Sequence, residues 1–196
     1  MEVIIVDSGG ANLASLQYAF ERLGARATVS ADGSIIASAD RVVLPGVGAA
    51  GHAMERLRSA GLTTVLRTLT QPVLGICLGM QLLAWHSNEG PASCLGLFSC
   101  AAYSIQPALG RPVPHMGWND LKRLERDPLL EGVCEGEFAY FAHSYALPIT
   151  EHTLARCEYG GVFSAVMRRR NFWGTQFHPE RSGKTGAGVL ANFLRL

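Results

Sequence analysis

The chain has 196 residues, 48% of them apolar, with 17 Lys and Arg against 16 Asp and Glu. That length suits one domain over residues 1–196, and the apolar share fills a full core. A formal charge of +1 gives no reason to expect nucleic acid or an anionic membrane as partner, and no apolar run nears the roughly 20 residues that span a bilayer.

The first residues, Met1-Glu2-Val3-Ile4-Ile5-Val6-Asp7, are acidic and strand-like, unlike a signal peptide. Residues 3–6 predict a strand, and the loop Asp7-Ser8-Gly9-Gly10 follows. Leu13, Leu16, Phe20 and Leu23 then recur at helical spacing, with Gly24 as a stop. Thr28 and Val29 open a weaker strand, and residues 41–44 form another, closed by Pro45-Gly46-Val47-Gly48. Met54 and Leu57 mark a helix, Val65, Leu66 and Leu69 a second, and residues 73–76 a further strand. Strand and helix in alternation predict a parallel sheet covered on both faces.

Beyond this point the rhythm changes. Residues 95–98, 120–124, 138–142, 153–158, 163–167 and 172–177 are short strand candidates with few helices between them, which predicts antiparallel pairing. Residues 168–171, Arg-Arg-Arg-Asn, read as a solvated hairpin turn, and residues 87–91 as a mobile loop. Val189, Leu190, Phe193 and Leu194 lie on one face of a last helix. The fold expected is α/β: a flavodoxin-like three-layer sandwich, mostly parallel, with an antiparallel C-terminal portion. Cys77, Cys94, Cys100, Cys134 and Cys157 are odd in number and scattered, which argues against a disulfide framework or a zinc cluster and for a reducing cytoplasm. No metal and no cofactor is expected.

Chemistry concentrates in Gly75-Ile76-Cys77-Leu78-Gly79, a strand-to-helix turn that matches the nucleophile elbow with cysteine as the nucleophile. The helix start that follows offers free N–H groups to a thiolate. A cysteine nucleophile needs a base and a group to orient it. His178 and Glu180 stand just past the strand that ends at Phe177, and two residues apart on an extended chain they face one side. Both Cys77 and His178 then fall at the carboxyl edge of the sheet, where ligands bind. Gly46-Val47-Gly48-Ala49-Ala50-Gly51 matches a dinucleotide fingerprint, but no acid follows about 20 residues on. The backbone N–H groups of Val47, Gly48 and Leu78 fit an oxyanion hole better.

Pro45-Gly46-Val47-Gly48, the stretch from Gly75 to Gln81, and Phe177-His178-Pro179-Glu180 together resemble the class I (triad) glutamine amidotransferases, over essentially the whole chain. The resemblance implies Cys77 as nucleophile, His178 as general base and acid, and Glu180 as the residue orienting it. It implies a glutamine site built from Gln81, Glu89, His143, Ser144, Tyr145 and the Gly48 backbone. Pro114-His115-Met116-Gly117-Trp118-Asn119 and His143-Ser144-Tyr145 narrow the match to members that pass ammonia to a separate (β/α)8-barrel cyclase subunit of histidine biosynthesis, as a heterodimer. Met116, Trp118 and Asn119 fall where such members meet that subunit. The first loop, Asp7-Ser8-Gly9-Gly10-Ala11-Asn12, lacks the Tyr of many relatives, and residues 90–111 are shorter than in some.

Three other functions fit parts of the chain. A glutaminase subunit could serve another synthase, of anthranilate or pyridoxal phosphate, although residues 115–119 argue against it. A redox-sensing or chaperone-like cysteine protein on the same fold has no use for His178 and Glu180. A nucleotide-binding module rests on the Gly46–Gly51 glycines alone.

Overall fold

The computed structural model describes residues 1–8, 13–123 and 125–196. The expected roles of Gly9, Gly10, Ala11 and Asn12, and the expected strand end at Leu124, lie outside these residues. The first half runs β1 (Glu2–Val6), α1 (Leu13–Arg22), β2 (Arg26–Ser30), α2 (Gly33–Ser38), β3 (Arg41–Gly46), α3 (Ala50–Ser59), α4 (Leu62–Thr68), β4 (Val73–Cys77) and α5 (Leu78–Leu82). The second half is β5 (Ala84–Ser87), β6 (Ala92–Ser93), β7 (Phe98–Ser104), β8 (His115–Asp120), β9 (Lys122–Arg123), β10 (Phe138–His143), β11 (Tyr145–Ala146), β12 (Thr153–Glu158), β13 (Val162–Arg169), β14 (Phe172–Thr175) and α6 (Gly183–Arg195).

Among the described residues, eight strands form the central sheet in the order β2-β1-β3-β4-β14-β13-β12-β9. The pairs from β2 to β14 are parallel and those from β14 to β9 antiparallel. This is the expected mixed α/β architecture, with the doubly wound strand order in its parallel part. Alternation divides the strands between two cores. Val3 and Ile5 join Leu16 and Phe20 of α1 and Leu190 and Phe193 of α6. Ile4 and Val6 join Ile36, Met54, Leu57 and Leu66 of α2, α3 and α4 on the other face. Burial on both faces is why these strands read as unbroken apolar runs. Among the described residues, no helix is long and apolar enough to cross a membrane.

Several elements differ from expectation. The strand expected over residues 95–98 begins at Phe98, because Leu95, Gly96 and Leu97 bond irregularly to Leu82, Ala84 and Leu83. The strand expected from residue 120 forms as β9, Lys122–Arg123, which pairs with β12, while Asp120 itself ends β8, a strand not expected, whose partner is β10. Residues 87–91 span the tight turn between β5 and β6, two strands the sequence hid. Helix α2 was also missed; Asp32 caps it, its Oδ1 accepting from the N–H of Ser34 at 2.8 Å. The hairpin at residues 168–171 forms, with Arg168 and Arg169 in β13 and the turn at Arg170, whose φ is 57°.

Candidate active site

Cys77 ends β4 with φ 54° and ψ −113°, a conformation that residues with a β-carbon avoid. The cause is backbone packing. Helix α5 starts at the next residue and presses against the sheet: a β-carbon on Gly79 would stand 1.8 Å from the Leu44 carbonyl oxygen, and one on Gly75 would stand 2.8 Å from the Gly79 oxygen. The chain must therefore reverse within one residue. Cys77 itself stays 6% exposed.

Strand β14 pairs in parallel with β4, Thr175 opposite Ile76, so the chain leaving β14 runs past Cys77. His178 is extended there. Its N–H donates to the Tyr140 carbonyl at 2.9 Å, and its own carbonyl accepts from the Ser182 hydroxyl at 2.7 Å. The extended path expected through Glu180 is replaced by a 3-10 turn, Pro179–Arg181. The turn still brings the Glu180 carboxylate to the imidazole, with Oε1 2.9 Å from Nδ1. Glu180 is nearly enclosed, its side chain 4% exposed, and its Oε2 is the one buried side-chain oxygen without a partner among the described residues. Burial disfavours a charged His178, but hydrogen bonds and charge from Cys77 and Glu180 outweigh it and raise the imidazole to about 10. Nδ1 faces Glu180, which leaves Nε2 for the sulfur.

The three side chains open into a cavity of about 320 Å³. Val47, Gly48, Leu78, Gln81, Glu89, His143 and Ser144 line it as well, so most of the residues expected for oxyanion and substrate lie together. Gly48 takes φ 81° with open space where a β-carbon would stand, so conformation rather than room selects glycine. Glu89 reaches across from the β5–β6 turn, and its Oε2 accepts the N–H of Ala50 at 3.1 Å, satisfying a free donor at the start of α3. Tyr145 departs from expectation: its side chain does not line the cavity, and its carbonyl serves instead, accepting from Gln81 at 2.7 Å and from His143 Nδ1 at 2.9 Å. Of the fingerprint-like glycines, Gly46 and Gly48 line this same cavity at the β3–α3 junction.

Sequence reading missed a buried polar chain behind the cavity. Asn119 Nδ2 faces His115 Nε2 at 3.4 Å, and His115 Nδ1 faces His143 Nε2 at 3.1 Å. An amide nitrogen can only donate, which fixes the direction: Asn119 donates to His115, His115 to His143, and His143 to the Tyr145 carbonyl. Each imidazole is then satisfied as a neutral ring. Burial pushes His115 down to about 4; it also pushes His143 down to about 3, with nearby histidines adding and the Tyr145 carbonyl opposing. Gln176, fully buried, completes the chain beside Cys77. A polar residue amid the apolar stretch 172–177 was the available signal.

Strand β8 alternates. Met116 and Trp118 are 65% and 55% exposed, beside an equally exposed Phe138 on β10. Trp118 meets Tyr140 edge-on, and Arg181 lies over the Tyr140 ring at 4.4 Å. Asn119, expected on the partner face with them, turns its amide inward to His115 and the Glu158 carbonyl.

Comparison with known proteins bears on this arrangement. The chain is 52% identical, over all of its length and 98% of the relative's, to the imidazole glycerol phosphate synthase subunit HisH of Xanthomonas euvesicatoria. A protein of the same name from Xylella fastidiosa is 50% identical over the same shares. Among solved structures, a glutamine amidotransferase superposes with a TM-score of 0.76 at 21% identity, covering 98% of this chain and 97% of that one. PurLQS from Thermotoga maritima gives 0.74 at 20% identity, covering 99% and 97%, and at such identities these two speak for the fold. The family model for class-I glutamine amidotransferases matches residues 4–196, and the chain belongs to that family.

Proposed function

We propose that the chain is the glutaminase subunit of an imidazole glycerol phosphate synthase, acting in histidine biosynthesis in the cytoplasm. Full-length identity to HisH proteins, joined to a Cys77, His178 and Glu180 constellation in one cavity, supports this reading best. L-Glutamine enters with its head group toward Gln81, Glu89, His143 and Ser144. His178 takes the thiol proton, and the Cys77 sulfur attacks the side-chain amide carbon. Negative charge develops on the amide oxygen, within reach of the Val47, Gly48 and Leu78 backbone N–H groups. The His178 imidazolium protonates the departing nitrogen, and ammonia leaves a γ-glutamyl thioester. Water then attacks as His178 accepts its proton, and glutamate and the thiolate separate. Glu180 keeps the ring aligned and the imidazolium stable throughout.

The ammonia passes to a (β/α)8-barrel cyclase subunit that docks as a heterodimer over the exposed Met116 and Trp118 of β8. Asn119 contributes from behind, by holding His115. Another acceptor synthase is disfavoured by the HisH identity, and a redox role leaves the His178–Glu180 pair unused. Replacing Cys77→Ala tests the chemistry. Glutamine hydrolysis, assayed with the cyclase subunit and its ribotide ligand, falls to background while the far-UV spectrum is unchanged. Retained hydrolysis refutes the assignment, and co-purification of a different synthase refutes the pathway.

A further inference from the structure

Gln176 is fully buried, and its place follows from register. Thr175 stands opposite Ile76, so the next residue of the β14 chain comes level with Cys77. Its backbone N–H is held by the Ala165 carbonyl at 2.9 Å. Its side-chain Oε1 lies 3.0 Å from Gln81 Nε2, and its Nε2 lies 3.8 Å from Cys77 Sγ. The amide orientation is forced. Gln81 Nε2 also meets the Tyr145 carbonyl at 2.7 Å, and a carbonyl only accepts, so Gln81 presents its nitrogen on this side. Gln176 must answer with its oxygen, which leaves its N–H for the sulfur. The flipped amide would set nitrogen against nitrogen and oxygen against sulfur.

We infer that Gln176 is a working part of the glutamine-hydrolysing site: its amide nitrogen holds the Cys77 sulfur, and its amide oxygen fixes Gln81. The inference rests on the glutaminase reading above. In the thiol form, Cys77 Sγ lies 3.7 Å from the Ala142 carbonyl, which can accept the S–H. Once that proton moves to His178, the anionic sulfur faces a carbonyl dipole of the wrong sign, and the Gln176 N–H is the neutral donor that offsets it. The same donor favours sulfur as leaving group when water attacks the thioester. Hydrogen bonds to charged partners are about twice as strong as neutral ones, so the contact strengthens as the thiolate forms.

The test compares Gln176→Met, which keeps length and loses both hydrogen bonds, with Gln176→Asn, which keeps the amide but withdraws it. Cys77 alkylation by iodoacetamide is followed against pH by mass spectrometry on the chain alone; kcat and KM for glutamine are measured with the cyclase subunit present. In both variants the pH of half-maximal alkylation rises by about one unit and kcat falls about tenfold, with KM rising as Gln81 loosens. A rise in KM alone, with kcat and the alkylation profile unmoved, makes Gln176 a mere prop for Gln81 and overturns the inference. Should neither variant fold, NMR of the parent chain decides: the Gln176 side-chain amide proton shifts over the pH range of Cys77 alkylation, and an unmoved signal is fatal. Absence of glutaminase activity in the parent chain defeats the functional reading instead, and the alkylation and NMR results still judge the contact.

Discussion

The two flanks of Cys77 are held by different physics. Toward β3 and α5, backbone lies on backbone with no side chain between, as Gly75 and Gly79 require. Toward β14 and β10, buried polar side chains meet: Gln81, Gln176, His143 and His115. The first flank decides where the sulfur stands and has no slack in volume. The second sets the charges around it and has no slack in donors and acceptors. Three histidines show how finely the second flank discriminates. A carboxylate and a sulfur raise His178, while burial without an anion depresses His143 and His115.

The sharpest way to break this contrast is Gly79→Ala. One methyl group would stand 1.8 Å from the Leu44 oxygen, and Leu44 is fixed in β3 between two parallel neighbours. The expected cost exceeds about 4 kcal/mol, enough to remove soluble folded protein or to lower the urea midpoint sharply. A midpoint near the parent's would mean that α5 is not seated on the sheet.

Glu180→Gln probes the other flank. The amide keeps an acceptor for His178 Nδ1 but removes the negative charge that supports the imidazolium. The pKa of His178 falls, so the alkaline limb of the glutaminase pH profile moves to lower pH, and kcat drops about 10- to 100-fold. Stability follows the same sign. A raised imidazole contributes fully below the unfolded value near 6.5 and loses that contribution as pH climbs through about 10. The parent therefore loses stability across that window, and the variant loses less. Superimposable pH profiles would remove Glu180 from the site's electrostatics.

The flanks also differ in how far the sequence discloses them. Backbone contact demands glycine, and Gly75, Gly79 and Pro45-Gly46-Val47-Gly48 stand out along the chain as unusual residues, so the elbow and the parallel strands on either side are readable. His178 and Glu180 share one short segment, and their nearness survives even though the chain there turns instead of running extended. Gln176 and His115 carry no such mark. Their partners lie 95 and 28 residues away, and only the β4–β14 and β8–β10 registers bring them together. The strands around residues 84–104 escaped for a related reason: β5 and β6 are short, β7 shows little alternation, and all three pair away from the main sheet.

The smallest effect isolates the strain at the elbow. Cys77→Ala and Cys77→Gly both delete the sulfur, so both lack hydrolysis, and the buried apolar contact they lose is nearly the same. In an ordinary strand or helix glycine is the worse of the two by about 0.5–1 kcal/mol, because it frees the unfolded chain. At φ 54° and ψ −113° the order reverses, since alanine keeps a β-carbon in a region that costs of order 1–3 kcal/mol. The glycine variant is therefore the more stable by about 1 kcal/mol, a melting temperature roughly 2–4 °C higher for a chain of this size. Equal melting temperatures, or a higher one for alanine, would show that the turn relaxes once the sulfur is gone; the contact of α5 with β3 would then not be what holds the nucleophile in place.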